Sequence, residues 1–515
     1  MEENQENRLE NREGRPTEAG FFERIQGAIH PAVVEHYYKD NILSTASSSP
    51  YLLDVMRAHA CMLADQGIIP REAGAALAET LTGWKQSGGI TPDMIDPSLE
   101  DLYINMEHLL SKALGEEIAG HLPVARSRND VEAAMWRIEM REKLRVLARS
   151  AINHCAVLDK RAREHLAAPM PGYTYHQQAM PVTLGFQLSC VSSAMLRDIA
   201  RIIDCIERLD VNPLGSAALS GSGYDVDRQA TAQFLGFADV MDNCEDSVSA
   251  CDYMLEAASC SLQLLVTLGR FAEEVIKWCQ NETGFADLSD SMIDSSSIMP
   301  HKRNPVVPAT VRAFSRLKAG DFAGLAAACV VPFEASRDVT VVFTKALDMV
   351  NTAWDMCEIS KAYTGDIRFH AQKMRDALSI GFSFSAELAD TMVRDGGLTF
   401  RAAHSIVGGA VSELYDAGKG PEAMSYRLLD QWSQKLTGAP LPITEDAFRK
   451  ACDTDENIAR RKHFGGTSSE RVSESIDART EQAGILLVRL MVNELRWKEA
   501  EMTLDEACEA LIQSV

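Results

Sequence analysis

The sequence holds no apolar run near the roughly 20 residues that span a bilayer, and Arg489 interrupts its best candidate, 484–492. That excludes a membrane-spanning helix. Positive charge is in deficit, with 51 Lys and Arg against 74 Asp and Glu and a net charge of −23. A chain this acidic lacks the basic footprint of a nucleic-acid binder. The twelve cysteines include no CxxC pair and are scattered through apolar helical patterns. A disulfide scaffold is excluded, and reduced thiols in a cytoplasmic protein are expected. No charged-then-apolar leader opens the chain, and no strand-rich region, internal repeat or low-complexity tract interrupts it. What remains is an ordinary globular composition, 46% hydrophobic and 24% charged over 515 residues, long enough for about three domains.

Residues 1–17 are polar and free of aromatics, and a disordered tail is expected there. From 18 to 125 helical patterns alternate with Gly- and Pro-containing breaks, as in a small helical domain. Between 126 and 366 every proline falls at a junction, and proline breaks helix interiors. The stretches it avoids predict five long helices, roughly 129–167, 182–209, 243–282, 305–330 and 337–366. The segment 250–279 is apolar on more than one face, which suits the core of a bundle between subunits. From 367 to 515 the pattern shortens again, with breaks at GKGP, GAPLP and FGGTSS. The expected fold is all-α, with three helical domains around a central five-helix bundle that forms an oligomeric core.

Polar residues and helix breakers gather in three places. Ala125 to Asp130 opens the first bundle helix, and from spacing alone it is either a plain N-cap or an anion-binding helix start. Gly172 to Gln178 is a polar turn before Pro181, structural or functional. Residues 283–305 join two long helices through a Ser/Asp-rich stretch that ends in Met299, Pro300, Lys302 and Asn304. A connection that long is usually a lid or a linker, and the serines followed by a lysine suggest an activated hydroxyl on a mobile loop.

The run Ser296-Ser297-Ile298-Met299-Pro300-His301-Lys302-Arg303-Asn304-Pro305 resembles the signature of the aspartase/fumarase superfamily. Ser127-Arg128-Asn129-Asp130 narrows the resemblance to the branch of argininosuccinate lyase, the delta-crystallins and ethylenediaminedisuccinate lyase. Further matches are Gly172-Tyr173-Thr174, Pro213 to Ser216 with Asp227-Arg228, Leu388 to Asp390 through Arg401, and Gly465-Gly466-Thr467, so the likeness spans about 20–480. It implies a homotetramer whose active sites are each built from three subunits. It also implies elimination of an amine from a substituted succinate, giving fumarate with no metal or organic cofactor. The hard step is taking a weakly acidic C–H proton beside a carboxylate, whose aci-carboxylate needs fixed donors. By resemblance Ser296 is the base and Lys302 the cation that supports its alkoxide. The implied substrate-binding set is Ser127, Arg128, Asn129, Thr174, Ser297, Met299 and Asn304, joined at the amine end by Thr340 and Phe343.

The departures from the family are specific. The histidine expected after Gly-Tyr-Thr is Tyr175, with His176 one position late, and the glutamate that partners it is Ala309. Loss of both suggests a changed protonation scheme, in which Tyr175 either donates the leaving group's proton or only shapes the pocket. A phenol near pKa 10 is comparable with an aliphatic ammonium. The tyrosine, glutamine and lysine that contact the arginine part in argininosuccinate lyases become Ala335, Thr340 and Phe343. A site stripped of those polar groups does not select argininosuccinate. The glycine before the loop serines is Ser295. The leading expectation is a carbon–nitrogen lyase acting on an N-substituted aspartate. The alternatives are a cycloisomerase of the same fold and a non-catalytic delta-crystallin-like homologue.

Overall fold

The structure, a computed structural model, describes residues 29–515. The expected tail at 1–17 lies outside the described residues. After short helical turns at 31–48, three longer helices lead to the bundle: α1 (Ser49–Asp65), α2 (Arg71–Gln86) and α3 (Leu102–Leu114). The bundle follows as α4 (Arg128–Glu164), α5 (Leu184–Leu209), α6 (Asp252–Trp278), α7 (Val306–Ala328) and α8 (Arg337–Asp366). These match the five expected stretches except at the third. There a short helix, Cys244–Ser249, ends at Ala250 in an extended conformation before α6 begins.

The side-chain pairs fix the direction of each helix. Arg137 of α4 donates to the Leu209 carbonyl at the far end of α5 (3.0 Å), while Ser192 reaches Asp159 (2.6 Å), so α4 and α5 run antiparallel. Thr267–Asp198 at 2.6 Å and Arg208–Glu256 turn α6 against α5. The Ser315 hydroxyl donates to the Leu265 carbonyl at 2.6 Å, which turns α7 against α6. On α8, Phe343 stacks on Trp136 with ring centres 5.1 Å apart, and Glu358 accepts from Ser150 at 2.6 Å. Therefore α8 runs parallel to α4. The bundle has two ends: one at the starts of α4 and α8, the other at the ends of α4, α6 and α8.

The longest helix is α9 (Ser469–Gln513). Sequence periodicity assigned it to a smaller C-terminal unit, 367–515, but it runs back along the bundle. Arg149 of α4 pairs with Glu494, Asp159 with Arg479 (3.2 Å), and the fully buried Arg57 of α1 with Asp505. Leu486, Leu490, Trp497, Leu504 and Leu511 join the main core, whereas a separate cluster holds Leu388, Ile406, Leu429 and Phe448. The C-terminal region is thus a small helical unit at 385–452 followed by a brace.

Strands are short and occur in pairs among the described residues. The longest pair is a hairpin, β1 (Pro169–Thr174) and β2 (Gln177–Thr183), between α4 and α5. Gly172 is required there, because a Cβ would sit 2.9 Å from the Met180 carbonyl oxygen. The other pair that matters, β3 (Asp294–Ser295) with β4 (Arg303–Asn304), lies inside the 283–305 connection.

Candidate active site

At the first end, Ser127 caps α4. Its hydroxyl oxygen accepts from the Asn129 N–H at 3.4 Å, and Asp130 returns the favour to the Ser127 N–H at 2.8 Å, a capping box. The other oxygen of Asp130 accepts from Gly215 N–H and Ala217 N–H, both at 2.9 Å. Asp130 is fully buried, and burial pushes its carboxyl up to about 6 against the pull of those N–H groups. Asn129 Nδ2 donates to the Ala218 carbonyl at 2.9 Å. One carboxylate and one amide thus lock the helix start to the 213–218 loop. Arg228 shapes that loop from outside, with Nε on the Leu214 carbonyl (3.0 Å) and Nη2 on the Ser216 hydroxyl (3.1 Å).

Arg128 does not fit its expected role. Its guanidinium pairs with Asp101 at 2.6 Å and Glu100 at 3.3 Å, so its charge is neutralised and it offers no free clamp for a carboxylate. Phe343 is also displaced from expectation. It is 5% exposed and packed on Trp136, a core side chain rather than an exposed binding surface, because α8 turns its 339/342/343/346 face onto the bundle. Thr340, half-buried, lies in the first turn of the same helix. Sequence reasoning missed two acids here. Asp130 was legible as the third residue after an N-cap serine. Glu132, half-buried one turn beyond Arg128, is pushed up to about 8 by burial and by Asp101, and no sequence pattern announces it.

At the second end, 283–305 is folded rather than unstructured. Residues 286–287 pair with 368–369, Ser289 N–H donates to Asp366 at 2.9 Å, and Arg303 holds Asp290 (2.6 Å) and the Leu288 carbonyl (2.7 Å). The β3–β4 hairpin stands on this base, with Ser295 opposite Arg303, and carries residues 296–302 at its tip. The Ser296 hydroxyl oxygen accepts from Met299 N–H at 3.1 Å and Ile298 N–H at 3.5 Å. Lys302 closes the turn, its N–H donating to the Met299 carbonyl at 3.0 Å. Ser297, Met299 and Lys302 are exposed, and Asn304 is half-buried at the foot. Backbone donors on the serine oxygen are what lower the cost of its alkoxide.

The β1–β2 hairpin shares this end. Its two-residue turn is Tyr175-His176, and both residues have left-handed backbones (φ 51° and 60°). Such a turn favours Asn-Gly, and a residue with a Cβ gives up about 1–2 kcal/mol at each position. Tyr175 is 97% exposed at the tip, beside an exposed Thr174. Gln178 pins the hairpin, its amide on the Ala377 carbonyl at 2.9 Å.

The two groups of residues are far apart within one chain. Ser127 caps the start of α4 and Thr174 follows its end, and 37 residues of helix span about 55 Å at 1.5 Å each. The chain therefore carries the two groups at opposite ends of its bundle.

The fold is a long antiparallel helical bundle with a polar helix start at one end and a serine-bearing hairpin at the other. Comparison with known proteins is specific. The family described as "Lyase" matches residues 34–317, and the family "Argininosuccinate lyase C-terminal" matches 382–459. Argininosuccinate lyase from Methanothermobacter thermautotrophicus is 34% identical over 82% of this chain and 90% of its own length. The enzyme of that name from Hyphomonas neptunium is 36% identical over 82% and 89%. The crystal structure of EDDS lyase in complex with formate superposes with a TM-score of 0.84 at 26% identity, covering 95% of this chain and 97% of that one. The chain belongs to the lyase family of the aspartase/fumarase superfamily, as an argininosuccinate lyase-like member. No helix among the described residues is long and apolar enough to cross a membrane, and all twelve cysteines are free thiols.

Proposed function

We propose that this lyase eliminates an amine from an N-substituted aspartate to give fumarate, or adds the amine in reverse, at sites shared between the chains of a homotetramer. The observation that carries the reading is the Ser296 oxygen receiving two backbone N–H groups on a hairpin tip that also carries Lys302. Ser296 takes the C–H proton. The donors of Ser127, Asn129, Thr174, Ser297 and Asn304 hold the two carboxylates, including the one that becomes the aci-carboxylate. Tyr175 hands a proton to the departing amine, in place of the histidine pair absent at Tyr175 and Ala309. A variant of EDDS lyase has been solved with bound fumarate, which supports a dicarboxylate in the corresponding site. The separation of the two groups supports the shared arrangement.

The matched relatives are named argininosuccinate lyase, yet the start of α8 supports a different amine here. Ala335 and Thr340 offer no guanidinium partner, and the Phe343 ring is spent on Trp136. A pocket without those groups binds a less polar amine. The test is proton NMR of the protein with fumarate and a panel of amines, beside argininosuccinate alone, with Ser296→Ala as control. New N-substituted aspartates that vanish in the variant support the proposal. Turnover of argininosuccinate instead overturns the reading of α8, and no use or formation of fumarate overturns the lyase assignment as a whole.

A further inference from the structure

Two turns in from the first end, α5 and α6 face each other across a group that the elimination does not use. Cys205 of α5 is fully buried, Cys260 of α6 is 4% exposed, and Glu256 lies one turn before Cys260 on the same face. The two sulfurs and a carboxylate oxygen all lie within 4.8 Å of one another. In a tetrahedral zinc site, with sulfur about 2.3 Å and oxygen about 2.0 Å from the metal, neighbouring ligand atoms are about 3.5–4 Å apart. The three groups need to close by no more than about 1.3 Å, which rotamer adjustment of a glutamate and two thiols supplies.

The surroundings suit an ion. The Cys260 thiol donates to the Arg201 carbonyl at 3.6 Å, a bond it gives up with its proton on binding a metal. Arg208 holds the carboxylate from the solvent side, with Nε 3.0 Å from Oε1 and 3.1 Å from Oε2. Two thiolates and a carboxylate around a divalent ion carry one net negative charge, and the Arg208 guanidinium cancels it. An outer-shell cation that orients a ligating carboxylate is the usual complement of such a site.

We propose that Cys205, Glu256 and Cys260 bind one thiophilic divalent cation of the zinc class, with water in the fourth position, as a clamp between α5 and α6. Both thiols lose their protons to solvent on binding, and no electron is transferred. The clamp is independent of the lyase reading. The full-length protein, stripped by chelator under reducing conditions, is titrated with Co²⁺ as a visible probe. A sulfur-to-cobalt charge-transfer band and tetrahedral d–d bands should saturate at one ion per chain and disappear on adding Zn²⁺. Cys260→Ser and Cys205→Ser should abolish them, and Arg208→Met should weaken binding about tenfold. Cys190→Ser, which removes an exposed thiol elsewhere, should change nothing. If the serine variants fail to fold, alkylation of the wild type mapped by peptide mass takes their place, and Zn²⁺ should protect Cys205 and Cys260 selectively. Absence of the charge-transfer band, its survival in folded Cys260→Ser, or equal alkylation with and without Zn²⁺ overturns the proposal.

Discussion

Asp130 ties the start of α4 to the 213–218 loop, and replacing it with Asn separates its structural and electrostatic parts. Its carboxyl is buried and held near 6 rather than at its ordinary 3.8, with desolvation the larger cause. That displacement corresponds to about 3 kcal/mol. The folded chain holds this proton more tightly than the unfolded one. The associated stability is therefore complete below pH 4 and is lost as pH rises through 6. An asparagine does not titrate, so the difference in unfolding free energy between wild type and Asp130→Asn should shift by about 3 kcal/mol in favour of the variant between pH 4 and pH 7. Activity should move the other way. The variant loses one acceptor among the three N–H groups of Ser127, Gly215 and Ala217, and a misplaced helix start should lower kcat/KM by about 10–100-fold. Urea unfolding at fixed protein concentration over this pH range, with steady-state kinetics at pH 7, reads both. Parallel pH–stability curves for the two proteins would refute the account of Asp130.

Ser296→Ala should lower kcat by about 10²–10⁴-fold with an unchanged circular dichroism spectrum, since the hairpin tip is not part of the core. Arg57→Ala removes a fully buried side chain that bridges Asp54 and Asp505, while Asp54 keeps Lys85, and should destabilise the junction of α1 and α9 by about 1–3 kcal/mol, seen as early proteolysis of the C-terminal helix. Burial and Asp101 push the Glu132 carboxyl up to about 8, so Glu132→Gln should change the alkaline side of the pH–rate profile, and a profile identical to wild type would exclude Glu132 from the site.

The bundle was legible because proline punctuates it. Pro169, Pro213, Pro305 and Pro332 all fall between helices, and the apolar periodicity between them is strong. The role of α9 was not, because breaks at Gly438 and Gly465 resemble those of a small domain, and only tertiary pairs such as Arg57–Asp505 show where a long helix lies. The Ser296 loop could be read from its motif, while its hairpin base could not, since two-residue ladders leave no periodicity to detect. The Tyr175-His176 turn was hidden for a related reason, because it uses left-handed residues that carry side chains where the usual signal is Asn-Gly. Arg128 and Phe343 were assigned to substrate by position in a motif. Partners distant in sequence, Asp101 and Trp136, claim them instead.

In the proposed shared site, Ser296 comes from one chain and Asn129 from another. Ser296→Ala and Asn129→Ala proteins, each inactive alone, are mixed in equal amounts, dissociated and reassociated. If the two groups come from different chains, random assembly leaves both intact in about one quarter of the sites, and about a quarter of wild-type activity should return. Activity no greater than the sum of the two separate variants would contradict the shared site.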